Sequence, residues 1–336
     1  MYKLKTCVWE LTLACCFSCR YCGSNGGRAR ENELDTQECL SLADDLADLG
    51  CKRVSLIGGE VFLRPDWETI IRRLVSNDIA VCIVSNGYLI DTAMAERISR
   101  LSIESVALSI DGPEKIHDRY RQEGSFARAK RALGVLANAG VPASVISTLN
   151  SENVLTLEKL YTFLLDYPIF CWQLQACLPL GNALRTGVDH RFDVHRVIRF
   201  VEEHENAPFA IGIADSIGYF TESEGSLRGN RSGIAFFKGC QAGISNIGID
   251  SIGNIRGCES LYADCFIEGN VRQRSLRAIW EDPNTFSYNR KFTQDLLRGK
   301  CAKCSDNDIC RGGCRSMAYF AGSSMYEAPA CARDIS

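Results

Sequence analysis

Residues 80–112 read AVCIVSNGYLIDTAMAERISRLSIESVALSIDG, and their order decides the fold class. Ala80–Val84 is a short apolar run that predicts a strand, Thr92–Leu101 carries a helical pattern, and Val106–Ile110 is a strand again. Each strand ends in a polar, glycine-bearing tip: Ser85–Gly87 after the first, Ser109–Gly112 after the second. The same alternation continues in both directions. Upstream, Thr6–Leu13 reads as a strand. Asp35 with Glu38 three residues on then forms a capping-box pattern. Leu42, Leu46 and Leu49 follow at helical spacing and Gly50 closes the helix. Val54–Ile57 is a strand and Trp67–Leu74 a helix entered through Pro65. Downstream come a helix over Ser125–Ala139, a strand over Ala143–Thr148, a helix over Leu155–Leu165 and a strand over Trp172–Ala176. Strands alternating with helices predict an α/β fold on a parallel sheet, an open doubly wound sheet or a barrel. Such folds gather their chemistry at the C-terminal ends of the strands. Cys15–Cys22, Gly58–Glu60, Ser85–Gly87 and Ser109–Gly112 all fall there.

Beyond about residue 190 the rhythm changes. His195–Glu205 predicts a helix, and Ser216–Lys238, rich in glycine, serine and charge, a loop or bridge. Ile247–Asp250 and Asn254–Arg256 flank Ser251–Gly253 and predict a hairpin, followed by helices over Leu276–Glu281 and Phe286–Leu297. The expected organisation is a barrel over residues 1–190, a bridge over 191–239 and a small cysteine-rich domain over 240–336.

The chain has 336 residues, 46% of them hydrophobic, enough for one large domain and a smaller appendage. A net charge of −3 gives no basic footprint for nucleic acid. No apolar run approaches the roughly 20 residues of a membrane span. Met1–Thr12 lacks the layout of a signal peptide, so a cytoplasmic location is expected.

Eighteen cysteines are far too many for ordinary usage in such a chain, and the chain is too long for a secreted disulfide scaffold. Metal or cluster ligation is the better reading. Six cysteines stand singly in apolar or helical contexts and read as small core residues. Cys15, Cys19 and Cys22 are spaced C-x3-C-x2-C, with Cys16 as a neighbour inside the spacing. A four-iron cluster normally takes four thiolates, so three leave one iron open to chemistry. Structural zinc usually shows paired C-x2-C elements with four ligands. The last third holds Cys240, Cys258, Cys265, Cys301, Cys304, Cys310, Cys314 and Cys331, and the seven other than Cys265 are enough thiolates for nearly two four-ligand sites. Cys301-x2-Cys304 also resembles half a zinc ribbon, and that alternative stays open.

Residues 14–22, ACCFSCRYC, resemble the cluster loop of radical S-adenosylmethionine (SAM) enzymes, with Tyr21 as the aromatic before the third cysteine. The family often has Asn after its first cysteine, where this chain has Cys16. Gly58–Gly59–Glu60 resembles the family's GGE motif, whose role is to meet the methionine ammonium of SAM. Ser85–Asn86–Gly87 resembles its third-strand element, and Ser109-Ile-Asp111-Gly112 its fourth, which faces the ribose and carboxylate of SAM. The run from His117 to Arg121 continues the likeness, and Val145 and Ile146 are placed to pack the adenine or the core. For Asp111 and Arg121 a loop salt bridge is the alternative to a SAM contact. The tail resembles the SPASM extension of such enzymes.

The resemblance implies a partial (β/α)6 TIM-type barrel with a small C-terminal iron–sulfur cluster domain. It implies SAM as cofactor, one [4Fe-4S] cluster on Cys15, Cys19 and Cys22, and two auxiliary [4Fe-4S] clusters. Carried over by position, Cys301, Cys304, Cys310 and Cys331 ligate the outer cluster, while Cys240, Cys258 and Cys314 hold the inner one. Some related enzymes have a further cysteine where this chain has Ser245, so the inner cluster either takes Cys265 or leaves an iron open. Glu259 stands where some SPASM enzymes place a general base; a solvated hairpin carboxylate is the alternative. The implied activity is reductive SAM cleavage to a 5′-deoxyadenosyl radical that takes hydrogen from a residue of a ribosomal peptide, giving a thioether, a carbon–carbon crosslink or another modification. The implied partners are a precursor peptide and an external electron donor of flavodoxin or ferredoxin type; since residue 15 already belongs to the cluster loop, leader recognition would fall to a separate leader-binding protein, to the barrel itself, or to no leader at all. A dehydrogenase acting on a small alcohol or a protein Ser or Cys, and a non-catalytic metal scaffold, are the competing readings.

Overall fold

The structure is a computed structural model that describes residues 2–214, 216–217, 223–229 and 237–333. Among the described residues ten strands form one sheet: β1 Thr6–Glu10, β2 Arg53–Ile57, β3 Ala80–Ser85, β4 Ser105–Ser109, β5 Ala143–Leu149, β6 Ile169–Ala176, β7 Ala210–Ile213, β8 Asn246–Ile249, β9 Asn254–Arg256 and β10 Gly269–Asn270. Their order is β10-β9-β8-β1-β2-β3-β4-β5-β6-β7. From β1 to β7 each strand lies parallel beside the next in chain order. That requires a crossover after every strand, and the helices between them supply most of these. The far edges, β7 and β10, do not pair, so the sheet is an open relative of a TIM barrel.

Alternation along the strands sorts the two faces. Trp9, Leu56, Ile83, Leu108, Val145, Trp172 and Leu174 are buried in the main core against the helical layer. Trp172 packs edge-on to Phe200 of the helix Val194–Glu203, with ring centroids 5.6 Å apart. The intervening residues, among them Ser109 on β4, Ile146 on β5 and Gln173 and Gln175 on β6, therefore belong to the concave face. Val145 is thereby committed to the core, and Ile146 alone of that pair faces the concavity.

Local signals in the chain explain the elements. Asp35 and Glu38 form the reciprocal capping box, both bonds at 2.8 Å, at the start of the helix Thr36–Asp48. That helix buries Cys39, Leu42, Ala43 and Leu46. Strand β1 is shorter than its apolar pattern, because the chain leaves the ladder to build the cysteine loop: Leu13 N–H donates to Glu33 Oε1 at 2.7 Å. The strand over Ala210–Ile213 escapes the sequence, being only four residues long with a glycine inside. It continues the parallel series into the stretch expected to be a bridge.

The helix expected over Phe286–Leu297 is instead a short helix, Ser287–Arg290, and a separate turn, Gln294–Leu296. Its apolar residues serve different cores: Phe286 enters the main core, while Phe292 and Leu297 join a small cluster with Cys301 and Cys310. Most of Ser216–Lys238, read as a bridge, lies outside the described residues. Among the described residues no helix is long and apolar enough to cross a membrane.

Candidate active site and cluster-binding cysteines

Strand β8 pairs with β1 on the side opposite β2, so the hairpin bearing Cys258 and Glu259 abuts the strand that leads into the cysteine loop. That loop is tied down by its backbone. Cys15 N–H donates to Gly27 O at 2.9 Å, and Gly27 N–H donates to Leu13 O at 2.9 Å. Phe17 N–H points at Cys15 Sγ (3.4 Å) and Gly26 N–H at Cys22 Sγ (3.3 Å). Cys19 is an electrostatic neighbour of both other thiols. The three expected ligands thus converge. Cys16 sits beside them, with its sulfur 3.4 Å from Asn86 Nδ2.

Gly58 and Gly59 lie against the underside of this loop. A Cβ on Gly58 would stand 2.5 Å from Thr12 O, and one on Gly59 only 2.1 Å from Ala14 O. Both neighbours are backbone and cannot rotate away, so glycine is required by close approach. Gly59→Ala is expected to cost at least ~2 kcal/mol as overpacking. It should also strip iron from the loop while the tail keeps its own, as thermal melting and an iron assay will show.

Glu60 is buried and accepts from Ser85 Oγ (2.8 Å) and Asn86 N–H (2.9 Å). Burial pushes its carboxyl up to about 7 against those hydrogen bonds. Glu60 therefore staples the tip of β3 to the tip of β2. Gly87, at φ +76°, completes that turn against Ala129, Ala132 and Leu108.

Asp111 is the hub of the next tip. Its carboxylate accepts from Tyr21 Oη, from Arg121 Nε and from Thr148 N–H at 2.8 Å. Burial acts to raise the Asp111 carboxyl, but the Arg121 guanidinium, with lesser help from the Tyr21 hydrogen bond, holds it below its ordinary range. The salt bridge offered as the alternative reading of Asp111 and Arg121 is present, and Tyr21 is part of it. His117 is buried, accepts from Asp111 N–H at 3.2 Å through Nδ1, and is pushed by burial down to about 4, so it is neutral at pH 7.

Several groups here gave little sign in the sequence. Asn182 donates its Nδ2–H to Cys19 O and its N–H to Cys22 O, both at 2.9 Å, closing the loop after β6 onto the cysteine loop. The Leu-Gly-Asn turn after a strand end was the available signal. Asn153 Nδ2–H reaches Asp111 O at 2.9 Å. At the lip of β1, Arg30 binds Glu10, Ser251 Oγ and Tyr262 Oη, bolting the hairpin region to the barrel.

Glu259 lies beside this lip, with Glu10, Arg256, Asp250 and Arg30 as its charged neighbours. It is not the solvated carboxylate of the alternative reading: it is 8% exposed, and Oε1 has no hydrogen-bond partner. Burial, then the charge of Glu10, pushes it up to about 8.

In the tail the thiols form two neighbourhoods. Cys258 has Cys240 and Cys314 as electrostatic neighbours, and Cys310 has Cys331, Cys301 and Cys304. Cys265 is exposed, with its sulfur 3.6 Å from Tyr319 Oη, and is not among the electrostatic neighbours of Cys258. Ser245 is likewise turned away, its Oγ 3.2 Å from Gln241 Oε1. Burial pushes Cys19, Cys258 and Cys310 up to about 12, so these sites disfavour free thiolates and a bound cation is what would make them anionic. Among the described residues no three Cys, His, Asp or Glu side chains are grouped so as to hold a single metal ion. The donor sets present, thiols alone in groups of three, three and four, fit iron–sulfur clusters.

The radical SAM superfamily profile matches residues 9–164. The chain carries a radical SAM domain over those residues. An iron–sulfur cluster-binding domain of the SPASM type matches residues 240–306. Over 338 residues the chain is 27% identical to the AdoMet-dependent heme synthase of Methanosarcina barkeri, covering 96% of this chain and 95% of that protein. Over 318 residues it is 27% identical to the mycofactocin maturase MftC of Mycobacterium tuberculosis, covering 94% of this chain and 79% of that one. Among solved structures, Streptococcus suis SuiB bound to S-adenosylmethionine aligns with a TM-score of 0.78 at 16% identity, over 97% of this chain and 76% of SuiB. The enzyme anSMEcpe with bound AdoMet and the Cp18Cys peptide aligns with a TM-score of 0.70 at 20% identity, over 97% and 92%. These likenesses establish the fold. As a radical SAM enzyme with a SPASM domain, the protein uses SAM and [4Fe-4S] clusters.

Proposed function

We propose that the enzyme modifies a residue of a peptide, with Cys15, Cys19 and Cys22 holding the SAM-binding cluster. Cys240, Cys258 and Cys314 would hold the inner auxiliary cluster, and Cys301, Cys304, Cys310 and Cys331 the outer one. Bound together, cluster and SAM supply one-electron cleavage of SAM and removal of a hydrogen atom from carbon. The chain's own residues do the positioning. Gly58 and Gly59 let the β2 tip approach the cysteine loop, and Glu60, with acceptor capacity left, receives the SAM ammonium. Ser109 and Ile146, paired across β4 and β5, face the cofactor from the concave side. Asp111 orients Arg121 and Tyr21. Ser85 and Asn86 act through Glu60. Glu259, with one unpartnered oxygen at the lip, is the candidate proton acceptor.

The observation that carries a peptide substrate is the polarity of the mouth. Among the described residues, three half-buried or buried guanidiniums here are each spent on a carboxylate: Arg30 on Glu10, Arg121 on Asp111, Arg256 on Asp250. The wall opposite is neutral amide and hydroxyl, with Gln175 Nε2 3.1 Å from Thr148 Oγ1 and Gln173 Nε2 3.4 Å from Gln175 Oε1. Such a wall suits peptide amides. A porphyrin rich in carboxylates would call for uncommitted cations. The likeness to MftC supports the same reading, and a precursor peptide, an external low-potential electron donor and a separate leader-binding protein are its proposed partners.

A tetrapyrrole substrate is the second reading, favoured by the match to 95% of the heme synthase. Anaerobically reconstituted enzyme, SAM and reductant should be offered short peptides from the same gene neighbourhood and, in parallel, an iron porphyrin. A peptide that loses hydrogen in step with 5′-deoxyadenosine formation, read by mass spectrometry, is expected. Conversion of the porphyrin with all peptides untouched would overturn the peptide assignment.

A further inference from the structure

The side chain of Arg315 is fully buried at the start of the helix Arg315–Ala321, directly after Cys314. Its guanidinium lies over the rings of Tyr326 (4.7 Å) and Phe292 (5.4 Å). Only Nη1 has acceptors, the carbonyls of Arg311 (2.8 Å), Gly313 (3.4 Å) and Met325 (3.4 Å). Nε and Nη2 are shut from solvent and have no partner. Among the described residues no carboxylate forms an ion pair with it. A permanent cation buried without an anion is strongly disfavoured, and proteins normally pair such a charge. The anions missing here have an evident source. The electrostatic neighbours of Arg315 include Cys240 and Cys314 of the inner set and Cys310 of the outer set. Iron–sulfur clusters on thiolates carry net negative charge, and donors to their sulfurs tune their potentials.

We propose that Arg315 is the shared counter-cation of the two auxiliary clusters, its two unpartnered N–H edges donating to cluster or cysteine sulfur. It acts as a positioning and potential-setting residue, raising the potentials of both clusters and keeping them in reach of each other as electron acceptors. Tyr326 and Phe292 hold the guanidinium plane, and the Nη1 bonds fix its rotation, so the remaining donors are pre-set before iron arrives. This inference rests on the tail cysteines binding clusters and is independent of the substrate.

The test is a redox titration of anaerobically reconstituted protein, monitored by electron paramagnetic resonance. Arg315→Met is expected to keep full iron and to move the auxiliary potentials to more negative values, with the Cys15–Cys22 cluster unmoved as an internal reference. Arg315→Lys, which keeps the charge and loses the fork, should show a smaller shift in the same direction. Wild-type auxiliary potentials in iron-replete Arg315→Met overturn the proposal. If that variant does not fold, Arg315→Lys decides alone: a negative shift at full iron content supports the role, and unchanged potentials overturn it. An iron content too low for any tail cluster in the wild type would instead refute the ligand assignment, a separate failure.

Discussion

Replacing Cys15, Cys19 and Cys22 together with alanine is expected to abolish 5′-deoxyadenosine formation while iron falls only from about twelve to about eight per chain. The two halves of this result have separate causes. The three thiols converge on one loop closed by Gly27, Gly26 and Asn182, and Cys16 is a single thiol beside them. Cys16 alone cannot hold a cluster. The tail thiols lie in their own two neighbourhoods and owe nothing to the barrel loop. Three small substitutions on a loop held by backbone hydrogen bonds should leave the fold intact. High-performance chromatography of the nucleoside product and an iron assay on the same sample check both halves. Undiminished SAM cleavage would place the active cluster elsewhere, and a total near four irons in the wild type, with bound zinc, would make the tail a zinc module.

The features that were legible in the sequence are those that repeat or cluster locally. The strand and helix of each unit carry their own apolar period, and Asp35 with Glu38 announces a helix start that the structure reproduces bond for bond. The cysteine spacings were legible for the same reason. What was hidden depends on contacts far apart in the chain. Arg30 reads as one charge among many in a polar stretch, yet it joins Glu10 to Ser251 and Tyr262 across more than two hundred residues. Glu259 reads as a solvated hairpin carboxylate or a base, and only the packing of the hairpin against β1 reveals its burial. That Cys265 turns toward Tyr319 is likewise a matter of direction that the sequence does not carry. The helix over 286–297 failed because its apolar residues answer to two different cores, which no local period can announce.

The double variant Cys301→Ala with Cys304→Ala is expected to cleave SAM normally yet form product at least about tenfold more slowly, more than about 1.4 kcal/mol in the product-forming steps. Loss of one hydrogen atom leaves a substrate with an unpaired electron. A closed-shell oxidised or crosslinked product requires one more electron to leave, and an iron–sulfur centre held in the tail supplies an acceptor for it. Cys301 and Cys310 also belong to the small core with Phe237, Leu297 and Ala328, so the substitutions weaken packing as well as ligation. A core this small leans on its metal for stability, as metal-dependent domains do. Circular dichroism and retained SAM binding separate an unfolded tail from a folded one that lacks its outer cluster. The barrel should be spared in either case, because β8 and β9 join the sheet through β1 rather than through the segment bearing Cys301. SAM cleavage without product, in a folded variant, assigns the outer cluster a role in electron removal. Product at the wild-type rate would show that this cluster serves the fold alone.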